Sequence, residues 1–157
     1  MSFEDKVYAD WPFHMRYLRR ECWDVIKDYI IKHEITAALE FGSGLSTILF
    51  NNLGVDLVSY ETDPVYLRTI KSYNLANVEF RLWDNVTANI KGHYGISLVD
   101  GALPRTKQLY YAQKHSRYIA IDDFNDDNSN MGLEPMLKGY TRLDDESIKL
   151  AIFRNIK

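Results

Sequence analysis

Five carboxylates punctuate this chain in a regular way. Glu40, Glu61, Asp84, Asp100 and Asp122 each stand at or just beyond the end of a short apolar run. Acids gathered at one place repel one another unless a cation sits among them. The first of them enters a glycine turn, Glu40-Phe41-Gly42-Ser43-Gly44, and Ser46 and Thr47 then open a helical pattern. Glycines at 42 and 44 let the chain turn sharply and let a ligand approach where a Cβ would collide. An acid just before such a turn repels a pyrophosphate and attracts ammonium or sulfonium charge. That chemistry points away from a dinucleotide and toward S-adenosylmethionine.

The elements that must position these acids follow from periodicity. Met15, Leu18, Cys22, Val25, Ile26, Tyr29 and Ile30 recur at three- and four-residue steps, which predicts an amphipathic helix of about 18 residues. Strands are expected at 36–41, 57–61, 78–83, 94–99 and 118–121, alternating with helices at 46–53, 63–73 and 104–115. Asp63 is a cap ahead of Pro64 at the first helical position, and Pro104 opens the third of these helices. A weaker helix is expected at 132–138. The tail holds two β-rich segments, Tyr140 to Leu143 and Ile148 to Phe153, around a polar turn at 144–147, and reads as an antiparallel hairpin. The expectation is an α/β, Rossmann-like, seven-stranded and mostly parallel sheet with a C-terminal antiparallel hairpin, one reversed strand and helices on both faces. Ligands bind outside the carboxyl ends of the strands in such sheets, where the five acids fall.

A length of 157 residues fits one domain, with 1–34 as a helical N-terminal segment and 35–157 as the core. Hydrophobic residues make up 46% and aromatic residues 13%, enough to build a core. A net charge of −3, with Lys and Arg scattered, argues against a nucleic-acid partner. The lone Cys22 excludes an internal disulfide framework and is expected in the core. No apolar run approaches the roughly 20 residues that span a bilayer, and the N-terminus lacks a signal-peptide pattern, so a cytoplasmic protein is expected.

Glu40-Phe41-Gly42-Ser43-Gly44-Leu45-Ser46-Thr47 resembles motif I of the class I S-adenosylmethionine-dependent methyltransferases, with serine in place of the last glycine. Val58-Ser59-Tyr60-Glu61-Thr62-Asp63-Pro64 resembles their post-I segment, and Val99-Asp100-Gly101, Ile121-Asp122-Asp123 and the hairpin match in order and spacing. The resemblance implies that Phe41, Gly42, Ser43, Gly44 and Ser46 shape the loop around the methionine part, with Glu40 balancing its charge. It further implies that Glu61 takes the ribose hydroxyls, that Asp84 meets the adenine amino group, and that Trp83 or Asn85 lines the ring. Asp100 also borders this site. The Pro-Pro motif of amino-group methyltransferases acting on nucleic acids is absent, so a small-molecule acceptor is expected.

Methyl transfer needs the acceptor to lose a proton, so a base or a metal is required. Asp100, Asp123 and His93 are the candidate bases, His93 because it precedes the fourth strand in a loop expected on the acceptor side. Small-molecule O-methyltransferases of the metal-dependent kind hold Mg²⁺ on carboxylates at the ends of strands four and five. Asp100, Asp122 and Asp123 stand at the matching places, although Asp123 replaces the asparagine of the catechol type. Against that, the run 122–127 reads equally as a solvated acidic loop. Trp11, Pro12, Phe13, Tyr8 and Tyr17 fit ordinary core or an acceptor lid. His14, His33 and His115 show no metal-ligand spacing. Two rival readings stand beside an O-methyltransferase: a nicotinamide dinucleotide-binding domain, since Glu61 lies roughly 20 residues after Gly42, and a non-catalytic S-adenosylmethionine-binding protein. A homo-oligomer completing its pocket with a neighbouring subunit is left open.

Overall fold

The computed structural model describes residues 1–11, 17–84, 90–102, 104–124, 132–144 and 149–155. Seven strands form one sheet: β1 (Ala37–Phe41), β2 (Asp56–Glu61), β3 (Val78–Leu82), β4 (Tyr94–Val99), β5 (Ser116–Ile121), β6 (Tyr140–Arg142) and β7 (Ala151–Asn155). Their order is β3-β2-β1-β4-β5-β7-β6, parallel from β3 to β5. β7 pairs antiparallel with both β5 and β6, so it is the single reversed strand.

Alternation along the parallel strands splits the core into two layers, because successive side chains leave opposite faces. Ala38, Leu57, Ile96, Leu98 and Ala120 face one layer. Leu39, Phe41, Val99, Ile119 and Ile121 face the other. The first layer is covered by α1 (Phe3–Asp10), α2 (Arg20–Lys32), α3 (Leu45–Asn52) and α4 (Pro64–Lys71). α5 (Arg105–His115) and a 3₁₀ turn, η1 (Glu134–Leu137), cover the second. Cys22, Trp23, Ile26 and Ile30 form the buried stripe of α2, and Trp23 meets Phe50 of α3 edge-on at 5.3 Å.

Local signals account for the helix ends. The Asp63 carboxylate accepts from the N–H groups of Val65 and Tyr66, with Pro64 at the first helical position, as its sequence predicts. Three expectations change. α2 begins at Arg20 and ends at Lys32, and Met15 lies outside the described residues. α1 is an additional helix, capped by reciprocal bonds between Ser2 and Asp5. It buries only Glu4 within its span, so it carries no apolar stripe for periodicity to detect. The helix expected at 132–138 is the short η1, with Pro135 near its start. Trp11 is buried in the first core layer and stacks on Tyr73 at 6.5 Å, while the Tyr8 hydroxyl donates to Leu18 O. Pro12, Phe13 and His14 lie outside the described residues, as do Asn85 and Ile148.

No helix among the described residues is long and apolar enough to cross a membrane.

Candidate functional site

Backbone hydrogen bonds carry the sheet register past the strand ends and align the acids in a row. Gly42 N–H donates to Tyr60 O at 2.8 Å, and Trp83 N–H donates to Glu61 O at 2.8 Å. On the other side Asp100 N–H donates to Phe41 O at 3.0 Å and Asp122 N–H to Val99 O at 3.2 Å. At the centre of this rim the β1 turn meets the β4 turn. Gly42 has φ +99°, a conformation that strongly favours glycine, and a Cβ there would lie 2.7 Å from Gly101 Cα.

Glu40 does not open onto the rim. Its side chain points beneath the turn, fully buried, into a set of hydroxyls. Ser46 Oγ donates to Oε1 at 2.5 Å, while Thr47 Oγ1 and Ser59 Oγ donate to Oε2 at 2.6 and 2.5 Å. Thr47 Oγ1 in turn accepts from Gly44 N–H at 2.8 Å. Because the Ser59 proton goes to Glu40, the Ser43 hydroxyl is the donor in its 2.7 Å contact with Ser59. Glu40 therefore ties the glycine turn to the start of α3 and to β2. Burial pushes its carboxyl up to about 7, against the pull of the three hydroxyls and with a further push from Glu61.

Glu61 closes β2 and holds the loop that follows. Oε1 accepts from Thr62 N–H at 2.6 Å, Asp63 N–H at 2.9 Å and Thr62 Oγ1 at 3.2 Å. Oε2 accepts from Ser43 N–H at 3.1 Å. Three donors saturate the first oxygen, and the second retains acceptor capacity. A narrow cleft opens here, walled by Phe41, Tyr60, Thr62 and Trp83 and floored by Gly101 and Gln108. Trp83 is buried and meets Phe41 and Tyr60 edge-on. Asp84, next in the chain, is exposed.

On the other side of the turn, Arg105 supplies the cation that the row of acids requires. Its Nη2 lies 3.6 Å from Asp100 Oδ1, and its Nη1 donates to Asp122 O at 2.7 Å. Asp100 keeps about a quarter of its side chain exposed (24%). Loss of solvation and the nearby charge of Asp122 hold the Asp100 carboxyl well above the usual range, against the pull of Arg105. Asp122 is buried beside Cys22, and desolvation and then Asp123 push its carboxyl up to about 6. Asp122 Oδ1 has no hydrogen-bond partner among the described residues. Asp123, half-buried, takes φ +52° as the chain leaves β5.

The arrangement does not support the metal expectation. Among the described residues no three of His, Cys, Asp and Glu converge so as to hold a metal ion. The Arg105 guanidinium lies against Asp100 and the Asp122 carbonyl.

The expectation for His93 is corrected. It is exposed and stands before Tyr94, at the end of β4 opposite to Asp100. A strand of six residues spans about 20 Å, which separates His93 from the rim. Its ring lies 6.4 Å from that of His115, which ends α5 before β5 begins. The loop entering a parallel strand reaches the amino edge, and ligands meet the carboxyl edge.

Phe41, Gly42, Ser43, Gly44, Ser46, Glu61 and Trp83 thus share one side of the rim, with Glu40 buried beneath it and Asp100, Asp122 and Asp123 on the other. Thr47, named in the sequence only as opening the helix, joins them, as do Ser59, Arg105 and Gln108, which had no site role there. Ser59 carried one signal: it alternates with Glu61 in β2 and, at the observed register, stands opposite Glu40.

No protein-family model matches the sequence, and no curated protein is significantly similar to it. Solved structures do resemble it over nearly its whole length. A Staphylococcus aureus protein provisionally assigned as a caffeoyl-CoA O-methyltransferase has a TM-score of 0.73 at 17% identity, covering 99% of this chain and 93% of that one. The Podospora anserina methyltransferase PaMTH1, solved with S-adenosylhomocysteine bound, has a TM-score of 0.70 at 14% identity, covering 98% and 86%. The N-methyltransferase NodS from Bradyrhizobium japonicum, also in complex with S-adenosylhomocysteine, has a TM-score of 0.65 at 10% identity, covering 98% and 96%. The chain has the class I S-adenosylmethionine-dependent methyltransferase fold.

Proposed function

We propose that the protein is an S-adenosylmethionine-dependent methyltransferase that methylates an oxygen of a small molecule or sugar-like metabolite. One observation carries the reading. In this fold, a glycine turn closed against Gly101 lies next to a Glu61 carboxylate whose Oε2 still has room to accept. A ribose diol is the group that such an oxygen recognises beside an aromatic cleft. Glu61 holds the ribose, Trp83 lines the base, and Asp84 accepts from the base at its edge. The turn from Phe41 to Ser46 holds the methionine part. Glu40, its oxygens already taken by hydroxyls, acts on that part only through its field and through the shape of the turn.

Bound there, S-adenosylmethionine supplies an electrophilic methyl group. The work left to the chain is orientation and removal of one proton from the acceptor. Asp100 has a carboxyl with raised proton affinity that remains partly exposed at the rim, which suits it to take that proton. Asp123, next to Asp122, is the second candidate. The scheme is written without Mg²⁺, since no group of three His, Cys, Asp or Glu among the described residues could hold a metal ion.

The test is a thermal-shift comparison followed by turnover. A ligand at 100 times its Kd adds about 2.7 kcal/mol of stability, so S-adenosylhomocysteine is expected to raise Tm and NADH to leave it unchanged. Production of S-adenosylhomocysteine is then followed across hydroxyl and amine acceptors, with Mg²⁺ and with chelator. Stabilisation by NADH alone overturns the assignment. Cofactor binding with no turnover on any acceptor would mark a non-catalytic binding protein.

A further inference from the structure

Gln108 stands in the first turn of α5 and is 2% exposed. Its Nε2 donates to Ala102 O at 2.8 Å. The same nitrogen lies 2.6 Å from where a Cβ on Gly101 would sit, so glycine at 101 is what lets the carboxamide reach the floor of the cleft. The other end of the amide is anomalous. Gln108 Oε1 is buried and has no hydrogen-bond partner among the described residues. A buried acceptor without a donor is costly, and in a folded protein such a group calls for a reason.

The surroundings suggest the missing donor. Gln108 lines the same cleft as Tyr60, Glu61 and Trp83. A carbonyl oxygen only accepts, so the partner it lacks is an N–H or O–H donor, and aromatic neighbours favour one carried on a flat heteroaromatic ring. We infer that Gln108 Oε1 accepts a hydrogen bond from the exocyclic amine of a purine base, so that Gln108 selects a 6-amino purine over a 6-oxo purine. An exocyclic amine has two N–H groups, one for Asp84 and one for Gln108. The amide cannot turn over to suit a 6-oxo base, because Oε1 would then face Ala102 O. A 6-oxo purine therefore sets two acceptors against each other.

This inference rests on the cofactor reading above, and the experiment separates the two. Affinities of S-adenosylhomocysteine and S-inosylhomocysteine are measured by calorimetry for the wild-type protein, Gln108→Met and Gln108→Glu. The wild type is expected to prefer the adenosyl ligand by at least tenfold. Gln108→Met is expected to lose about tenfold on the adenosyl ligand, equivalent to about one hydrogen bond, and nothing beyond twofold on the inosyl ligand. Its unliganded Tm is expected to be no lower than that of the wild type, since an unpartnered carbonyl has been removed. Gln108→Glu is expected to keep the preference only as the protonated acid, whose O–H donates to Ala102 O in place of the amide nitrogen while its carbonyl oxygen still accepts.

Adenosyl binding without preference in the wild type overturns the inference alone, whether or not the variants fold. An equal loss on both ligands in Gln108→Met, with a lower Tm, also overturns it and leaves Gln108 a packing residue. Wild-type binding of neither ligand removes the cofactor reading and this inference together.

Discussion

Gly42 and Gly101 meet with no space for a side chain on either: a Cβ on Gly42 would lie 2.7 Å from Gly101 Cα, and one on Gly101 would lie 3.1 Å from Phe41 O. The contact joins the β1 and β4 turns across the centre of the rim. Gly42→Ala adds both a backbone collision and a side chain at φ +99°. It is expected to lose about 3 kcal/mol, measured by urea unfolding, from left-handed strain and overpacking together. A loss below about 1 kcal/mol would show that the two turns separate easily.

The buried acids give the unliganded protein an inverted pH dependence. The folded state holds the Glu40 proton up to about 7, against an ordinary value of 4.5. Stability from the protonated carboxyl is therefore complete below about pH 4.5 and is lost as pH rises through about 7. The displacement corresponds to roughly 3 kcal/mol for Glu40, and Asp122, pushed up to about 6, adds in the same direction. Tm is expected to be higher at pH 5.5 than at pH 8, and Glu40→Gln is expected to flatten the difference. A Tm that climbs steadily from pH 5 to pH 8 would contradict this.

Removing the cation should sharpen that same dependence. Arg105→Gln removes the cation that lies against Asp100 and the Asp122 carbonyl. The expected cost is about 2 kcal/mol at pH 8, above the value of about 6 to which Asp122 is pushed, and less than for a fully buried pair because Asp100 is partly exposed. The cost should shrink toward pH 5. Equal losses at both values would assign Arg105 a packing role.

Glu61→Ala removes the acceptor for Ser43, Thr62 and Asp63 N–H groups together. Its stability is expected to fall by about 2 kcal/mol, and its affinity for S-adenosylhomocysteine by at least tenfold, read by calorimetry. Unchanged affinity would remove the main support for the proposed function.

His93→Ala provides the opposite control. Sited at the amino edge of β4, it is expected to leave S-adenosylhomocysteine affinity within twofold of the wild type and turnover unchanged. A loss of turnover with intact affinity would place His93 in the acceptor site after all.

Much of the fold could be read from the chain because its signals are local. Apolar runs of strand length, Asp63-Pro64 ahead of α4 and the polar turn in the tail hairpin each act within a few residues. α1 escaped because a short polar helix with little buried surface has no stripe, only a cap. His93 was misplaced because a loop's sequence does not show which edge of the sheet it reaches.

The sequence by itself determined the order of strands and helices, the glycine turn, and the acids that end the parallel strands. Those depend on spacing and on residue type, which the chain carries directly. Only the tertiary structure decided which way each acid points and what answers it. Glu40 turns under the glycine loop because β2 pairs in the register that sets Ser59 opposite it. Arg105 reaches Asp100 and the Asp122 carbonyl because α5 starts where β4 and β5 end side by side. Gln108 reaches the cleft because glycine at 101 leaves room for its carboxamide. Contacts between residues far apart in sequence arise only after the sheet has chosen its neighbours, and there the chemistry of this rim is set.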